Sequence, residues 1–215
     1  MDIKGAIFDV DGTLLDSMWM WNSLHKNYFE NKGIILSEEN IKKIYSMSIH
    51  DGINYLIDAL DLDITKEQMY EEMTDYMLEI YLTKVTLKKG VYEFLDFLSE
   101  KGVKMCILTA SERKMIEKVF VKFSLIKYFD HILYCSELGM HKSSPEVFIK
   151  TAEILGTKQE ETMMFEDAEY SAKNVIKTRI KLCGVFDESN KNQEYLKEIS
   201  DIYLESFEDA ISYFK

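Results

Sequence analysis

The chain holds one proline in 215 residues, Pro145, so no proline-rich hinge divides it. Internal repeats and low-complexity linkers are missing too. Its three cysteines, Cys106, Cys135 and Cys183, lie far apart, each in an apolar run, and no CxxC pair or Cys/His spacing points to zinc. They read as small buried hydrophobes. So sparse and odd a count fits a reducing compartment, which makes a cytoplasmic protein the expectation. No apolar run approaches membrane-spanning length. The opening Met1-Asp2-Ile3-Lys4-Gly5 reads as the start of a strand rather than as a signal peptide. Positive charge is scarce: 26 Lys and Arg face 38 Asp and Glu, for a formal net charge of -12. Such a chain is poorly suited to nucleic acid or an anionic membrane, and neither is expected as a partner. One lysine, a few backbone N–H groups and a metal can still reverse the field locally.

What the chain does have is apolar material, 47% hydrophobic and 13% aromatic, enough for one large domain or a domain with a sizeable insertion. Short apolar runs end repeatedly in polar residues. Residues 4–9 run into Asp9, 103–108 into Thr109, 131–134 into Cys135-Ser136 and 162–165 into Glu166-Asp167, while 180–186 and 201–204 add further segments. Such runs suit buried parallel strands with functional residues at their C-terminal tips. Between them, 90–101 places Val91, Phe94, Leu95 and Leu98 on one helical face with Gly102 as a stop; 112–124, 144–155 and 168–178 read as further helices. Alternating strand and helix predicts an α/β fold, a Rossmann-like parallel sheet with helices on both faces and ligands at the C-terminal strand ends. Residues 16–87 break the alternation. Their apolar positions recur at three and four through 16–31, 37–47, 50–60 and 66–83, which predicts an inserted all-helical domain with Met18, Trp19, Trp21, Tyr28 and Phe29 in its core. The expected organisation is a core domain of 1–15 and 88–215 and a helical domain of 16–87.

The strongest local signal is Asp9-Val10-Asp11-Gly12-Thr13, directly after the first apolar run. Two acids one residue apart can both point out of a loop at a strand end. One can bind a metal or attack an electrophile, and the other can donate a proton to a leaving group. An Asp-Gly turn capping a helix is the plainer reading of the same residues. Thr109, Lys142 and the pair Glu166-Asp167 have plain readings too: a helix N-cap, a solvated lysine and a helix-start charge pair. What sets them apart is their joint order along the chain.

In that order the four groups resemble the motifs of the haloacid dehalogenase-like hydrolase superfamily, in the branch with a helical cap inserted after the first motif. That branch contains beta-phosphoglucomutase-like and phosphoglycolate-phosphatase-like enzymes. The first motif is Asp9 to Thr13, the second Leu108-Thr109-Ala110-Ser111, the third Lys142 in His141-Lys142-Ser143-Ser144-Pro145, and the fourth Phe165-Glu166-Asp167. The resemblance implies a magnesium-dependent phosphatase that hydrolyses a small phosphomonoester, a phosphorylated metabolite, through an aspartyl-phosphate. It implies that Asp9 attacks phosphorus and that Asp11 protonates the leaving alcohol and later activates water. Thr109 and the N–H of Ala110 are implied to hold phosphate oxygens, and Lys142 to offset charge on nucleophile and phosphate. Mg2+ is implied to be held by Asp9, the carbonyl of Asp11 and Asp167, with Glu166 acting through a water. The chemistry asks for these groups: two anions must meet in line, and a divalent cation and an ammonium cancel their repulsion.

The sequence departs from the family in three places. Ser143 stands where proline usually follows the lysine. Ala168 and Ser171 stand near the places of a serine and a glycine after the acidic pair. Residues 47–52, Met-Ser-Ile-His-Asp-Gly, lack the usual substrate-binding arginine. The last departure ranks a sugar phosphomutase second, because a bisphosphate needs a holder for its distal phosphate and arginine's bidentate fork suits that task. Arg113 and His50 are the remaining candidate substrate contacts. A non-catalytic binding module is a third reading, opposed by the intact acid pair. A monomer or a weak homodimer is expected.

Overall fold

The apolar runs become strands. In chain order they are β1 (Gly5–Phe8), β2 (Leu15–Asp16), β3 (Thr86–Leu87), β4 (Lys104–Thr109), β5 (His131–Tyr134), β6 (Thr162–Glu166), β7 (Lys181–Val185) and β8 (Ile202–Leu204). The computed structural model describes residues 1–44, 47 and 49–214. Six strands form one sheet in the order β5-β4-β1-β6-β7-β8, and every neighbouring pair is parallel. β1 is central and buried along its length, as a strand covered on both faces must be.

Period-two alternation sorts the strand side chains onto two faces. Ile7 is in register with Cys106 and Met164. These side chains pack with Val147, Phe148, Ala172, Val175 and Leu196, from helices α8 (Pro145–Leu155), α9 (Glu169–Val175) and α10 (Gln193–Ile199). Phe8 faces the other way. It stacks on Phe165 with centroids 4.4 Å apart and meets Phe94 and Phe129 edge-on. Phe94 belongs to α5 (Val91–Glu100), and Phe129 packs on Phe120 of α6 (Arg113–Lys122), so these helices cover the second face. A four-residue helix, α7 (Cys135–Leu138), follows β5 directly. All three cysteines are buried and free.

The described chain divides into two compact units, Met1–Met18 with Val85–Lys215, and Trp19–Lys84. The second unit carries α1 (Met18–Asn31) from its second residue onward, with α2 (Glu38–Ile44), α3 (Ile49–Leu60) and α4 (Lys66–Thr83). A capping box between Thr65 and Gln68 starts α4, each side chain taking the other's backbone N–H. Met20, Leu24 and Tyr28 recur at four along α1 and are buried with Phe29. Trp19 lies off that stripe and is 43% exposed, which corrects its place in the expected core. The expected stretch 37–47 is described as a helix only to Ile44; Tyr45, Ser46 and Ser48 lie outside the described residues. Residues 16 and 86–87, expected to be helical or at a helical boundary, instead form an antiparallel ribbon, Leu15 opposite Leu87 and Asp16 opposite Thr86. No described helix is long and apolar enough to cross a membrane.

Candidate active site

Asp9, Thr109 and Glu166 reach one edge of the sheet because β1 lies between β4 and β6. The Asp9 N–H extends the ladder to the Phe165 carbonyl, 3.1 Å away, so the carboxylate leaves at the strand tip. The chain then turns back on itself. The Val10 carbonyl accepts from the N–H groups of Leu14 and Leu15, at 3.0 and 2.9 Å, and Gly12 donates to the Leu15 carbonyl at 3.0 Å. Gly12 sits at φ +84°, and a Cβ there would lie 2.3 Å from Asp167 Oδ2. Glycine is therefore required both for the backbone and for the carboxylate beside it. Gly12→Ala is expected to displace Asp167 and weaken divalent-cation binding by about 100-fold or more, read by calorimetric titration of the folded variant.

Lys142 enters from the loop before α8. That loop is closed by the Ser144 N–H to the His141 carbonyl at 3.0 Å, and Asn174 Nδ2 donates to the Lys142 carbonyl at 3.3 Å. Ser143 serves this turn on a trans backbone, since no cis peptide bond occurs among the described residues. The ammonium is 4% exposed and donates to Asp9 Oδ1 and to Glu166 Oε2, the latter at 2.9 Å. Glu166 Oε1 accepts from the Ala168 N–H at 3.0 Å, and its Oε2 also accepts from Ser171 Oγ at 2.6 Å. Asp167 Oδ1 accepts from Thr13 Oγ1 at 2.9 Å, and its main-chain carbonyl from Asn190 Nδ2 at 2.8 Å. Two hydroxyls clamp Asp11: Ser17 Oγ donates to Oδ1 at 2.7 Å and Ser111 Oγ to Oδ2 at 2.6 Å. Thr109 Oγ1 accepts from the Ser111 N–H at 3.0 Å, which ties the loop after β4 to the same cluster.

Asp9, Glu166 and Asp167 each offer a carboxylate oxygen within 4.8 Å of the others, and all three are buried. Among the described residues one buried ammonium, that of Lys142, bonds two of them, Asp9 and Glu166. Burial, reinforced by Glu166 and Asp11 and only partly offset by Lys142, pushes the Asp9 carboxyl up to about 7. Burial, with Glu166 and Asp9 beside it, likewise holds Asp167 well above the carboxylate range. Burial alone would lower Lys142, yet Asp9 and Glu166 outweigh it and hold the ammonium above the usual lysine range. Such a site lacks positive charge, and its donors are all oxygens, which suits a hard divalent cation. Glu166 accepts from Lys142 and Ser171 on Oε2 and from the Ala168 N–H on Oε1. The second oxygens of Asp9 and Asp167 accept no hydrogen bond among the described residues, so both could take a metal ion.

Arg113 and His50 are the remaining candidates. Arg113 is bidentate to Glu137, with both contacts at 2.7 Å, donates to Glu117 at 2.8 Å and lies over the Tyr134 ring. Its guanidinium is thus paired with Glu137 and Glu117 rather than with the acid cluster. His50 belongs to α3 in the Trp19–Lys84 unit and stacks on Tyr70, 4.4 Å between centroids. Ala110 follows Thr109 on the exposed side of the loop. Sequence reasoning missed Ser17, Asn174 and Asn190. Ser17 alone carried a signal, a hydroxyl six residues past Asp11 in an otherwise apolar stretch.

With this geometry in view, relatives are informative. The family profile described as haloacid dehalogenase-like hydrolase matches residues 6–185. The chain is 30% identical to pyrophosphatase PpaX of Bacillus mycoides over 174 residues, 78% of this chain and 76% of that one. It is 23% identical to the phosphorylated carbohydrates phosphatase of Thermotoga maritima, over 77% of each. A Thermotoga maritima crystal structure, provisionally named a beta-phosphoglucomutase, superposes with a TM-score of 0.83 over 98% of each chain at 21% identity, a likeness of fold. The chain belongs to the haloacid dehalogenase-like hydrolases.

Proposed function

We propose that this chain is a magnesium-dependent phosphatase that hydrolyses a small phosphomonoester through an aspartyl-phosphate on Asp9. The observation that carries the reading is the buried cluster of Asp9, Glu166 and Asp167 at the tips of adjacent strands, with the Lys142 ammonium bonded to Asp9 and Glu166. In this reading Asp9 forms an O–P bond as the ester O–P bond breaks. Asp11, held by Ser17 and Ser111, gives its proton to the leaving alcohol and then takes one from the water that releases phosphate. Thr109 and the Ala110 N–H hold phosphate oxygens, and Lys142 offsets the charge of Asp9 and of the phosphoryl group. Asp9 and Asp167, with the Asp11 carbonyl, would hold Mg2+, which when bound supplies Lewis-acid stabilisation of the phosphoryl oxygens. Glu166 is proposed to reach it only through water. We also read Trp19–Lys84 as the cap unit that selects the substrate. The names of the relatives, pyrophosphatase and phosphorylated carbohydrates phosphatase, support a small phosphorylated metabolite.

A phosphomutase is the second reading, favoured by the fold likeness to the Thermotoga maritima structure. Against it stand the commitment of Arg113 to Glu137 and Glu117 and the absence of arginine from residues 47–52. A panel of phosphate esters assayed for released phosphate with Mg2+ tests the choice. Phosphate should appear from at least one ester. Conversion of beta-glucose 1-phosphate to glucose 6-phosphate without phosphate release would shift the assignment to a mutase.

A further inference from the structure

We propose that Ser171 is a positioning residue for Lys142: its hydroxyl fixes the Glu166 carboxylate, and the carboxylate in turn aims the ammonium at Asp9. The inference deepens the phosphatase reading and rests on it for its catalytic consequence. Ser171 stands near a place where the family usually has glycine, so its hydroxyl is a feature of this chain. It sits in α9 with no solvent exposure, and its Oγ lies 2.6 Å from Glu166 Oε2. The same oxygen accepts from Lys142 Nζ at 2.9 Å, and that nitrogen also donates to Asp9 Oδ1. Every member of this chain of contacts is buried.

Glu166 is held at three points: by the Ala168 N–H on one oxygen, and by Ser171 and Lys142 on the other. Removing the hydroxyl leaves Oε2 to Lys142 alone, and only the Ala168 N–H on Oε1 still anchors the carboxylate against the ammonium's pull. Both groups are then free to shift together. In a dry site a small shift of an ammonium matters, because the interaction with charge forming on the attacked phosphoryl group depends on distance and direction.

Full-length Ser171→Ala, assayed at saturating Mg2+ on the best ester of the panel, is predicted to lose about tenfold in kcat, with KM unchanged within about twofold. In a Lys142→Met background the same substitution should cost less than about twofold, because the partner it acts through is gone. A second readout needs no turnover. In protein labelled with nitrogen-15 lysine, the Lys142 ammonium is the signal that Lys142→Met removes, and Ser171→Ala should shift it and speed its exchange with water. An unshifted signal overturns the inference whatever the activity, and equal losses of kcat in the two backgrounds overturn it as well. A shifted signal in a protein that releases phosphate from no ester would remove the phosphatase reading while the Ser171–Lys142 coupling stands.

Discussion

Asp9→Asn should cut phosphate release by about 10^4-fold or more while the protein stays folded. The amide matches the carboxylate in shape but cannot attack phosphorus. The fold should tolerate it for an electrostatic reason. Burial and neighbouring acids already push the Asp9 carboxyl up to about 7, so a neutral group is accommodated at that position below neutrality. Lys142 keeps Glu166 as an anionic partner, and Asp167 loses a like charge that holds its own carboxyl high. The metal-free variant should therefore melt no lower than the wild type at about pH 8, where the wild-type Asp9 is ionised at a cost. Circular dichroism melts beside the activity assay check both halves. Activity within about tenfold of wild type would refute the nucleophile assignment.

Lys142→Met should have the largest effect on stability. Removing the ammonium leaves the buried Asp9 and Glu166 without their cationic partner, and breaking a buried pair in this way costs about 3–5 kcal/mol. The pH dependence follows from the acids. Asp9 and Asp167 have raised values in the folded state, so between the ordinary carboxylate range and about 7 the folded protein binds protons that the unfolded chain does not. Their contribution to metal-free stability is therefore greatest at the acidic end of that window and falls as pH rises through it. The Lys142→Met variant should show this slope more steeply than the wild type. Mg2+ should recover more stability at about pH 8 than at about pH 6, since it competes with protons for the same oxygens. Thermal melts with and without Mg2+ at both values measure this, and a metal effect that grows toward acid would contradict it.

The parallel sheet was readable because its strands are continuous apolar runs that stop at a polar residue, and the helices because their stripes persist for several turns. The ribbon of Leu15–Asp16 and Thr86–Leu87 was not, because two residues a side are too few to show an alternation. Trp19 misled because an aromatic residue suggests burial by type, whereas the helical phase places it off the buried stripe. At the site, Asp9, Thr109 and Glu166 were visible as strand-tip residues, and adjacency of β4, β1 and β6 brings them together. Several of the supporting hydrogen bonds were invisible, since they join residues far apart in sequence. Ser111 meets Asp11 across 100 positions, Asn174 meets Lys142 across 32 and Asn190 meets Asp167 across 23. The pairing of Arg113 with Glu137, 24 residues on, was hidden for the same reason.

Trapping the covalent intermediate tests the central claim most directly. Protein mixed with Mg2+ and its best ester, quenched within one turnover and reduced with borohydride, should yield homoserine in place of Asp9 on peptide sequencing. Asp9→Asn should yield none. Full turnover with no modified residue, or with the modification at any other carboxylate, would contradict the account.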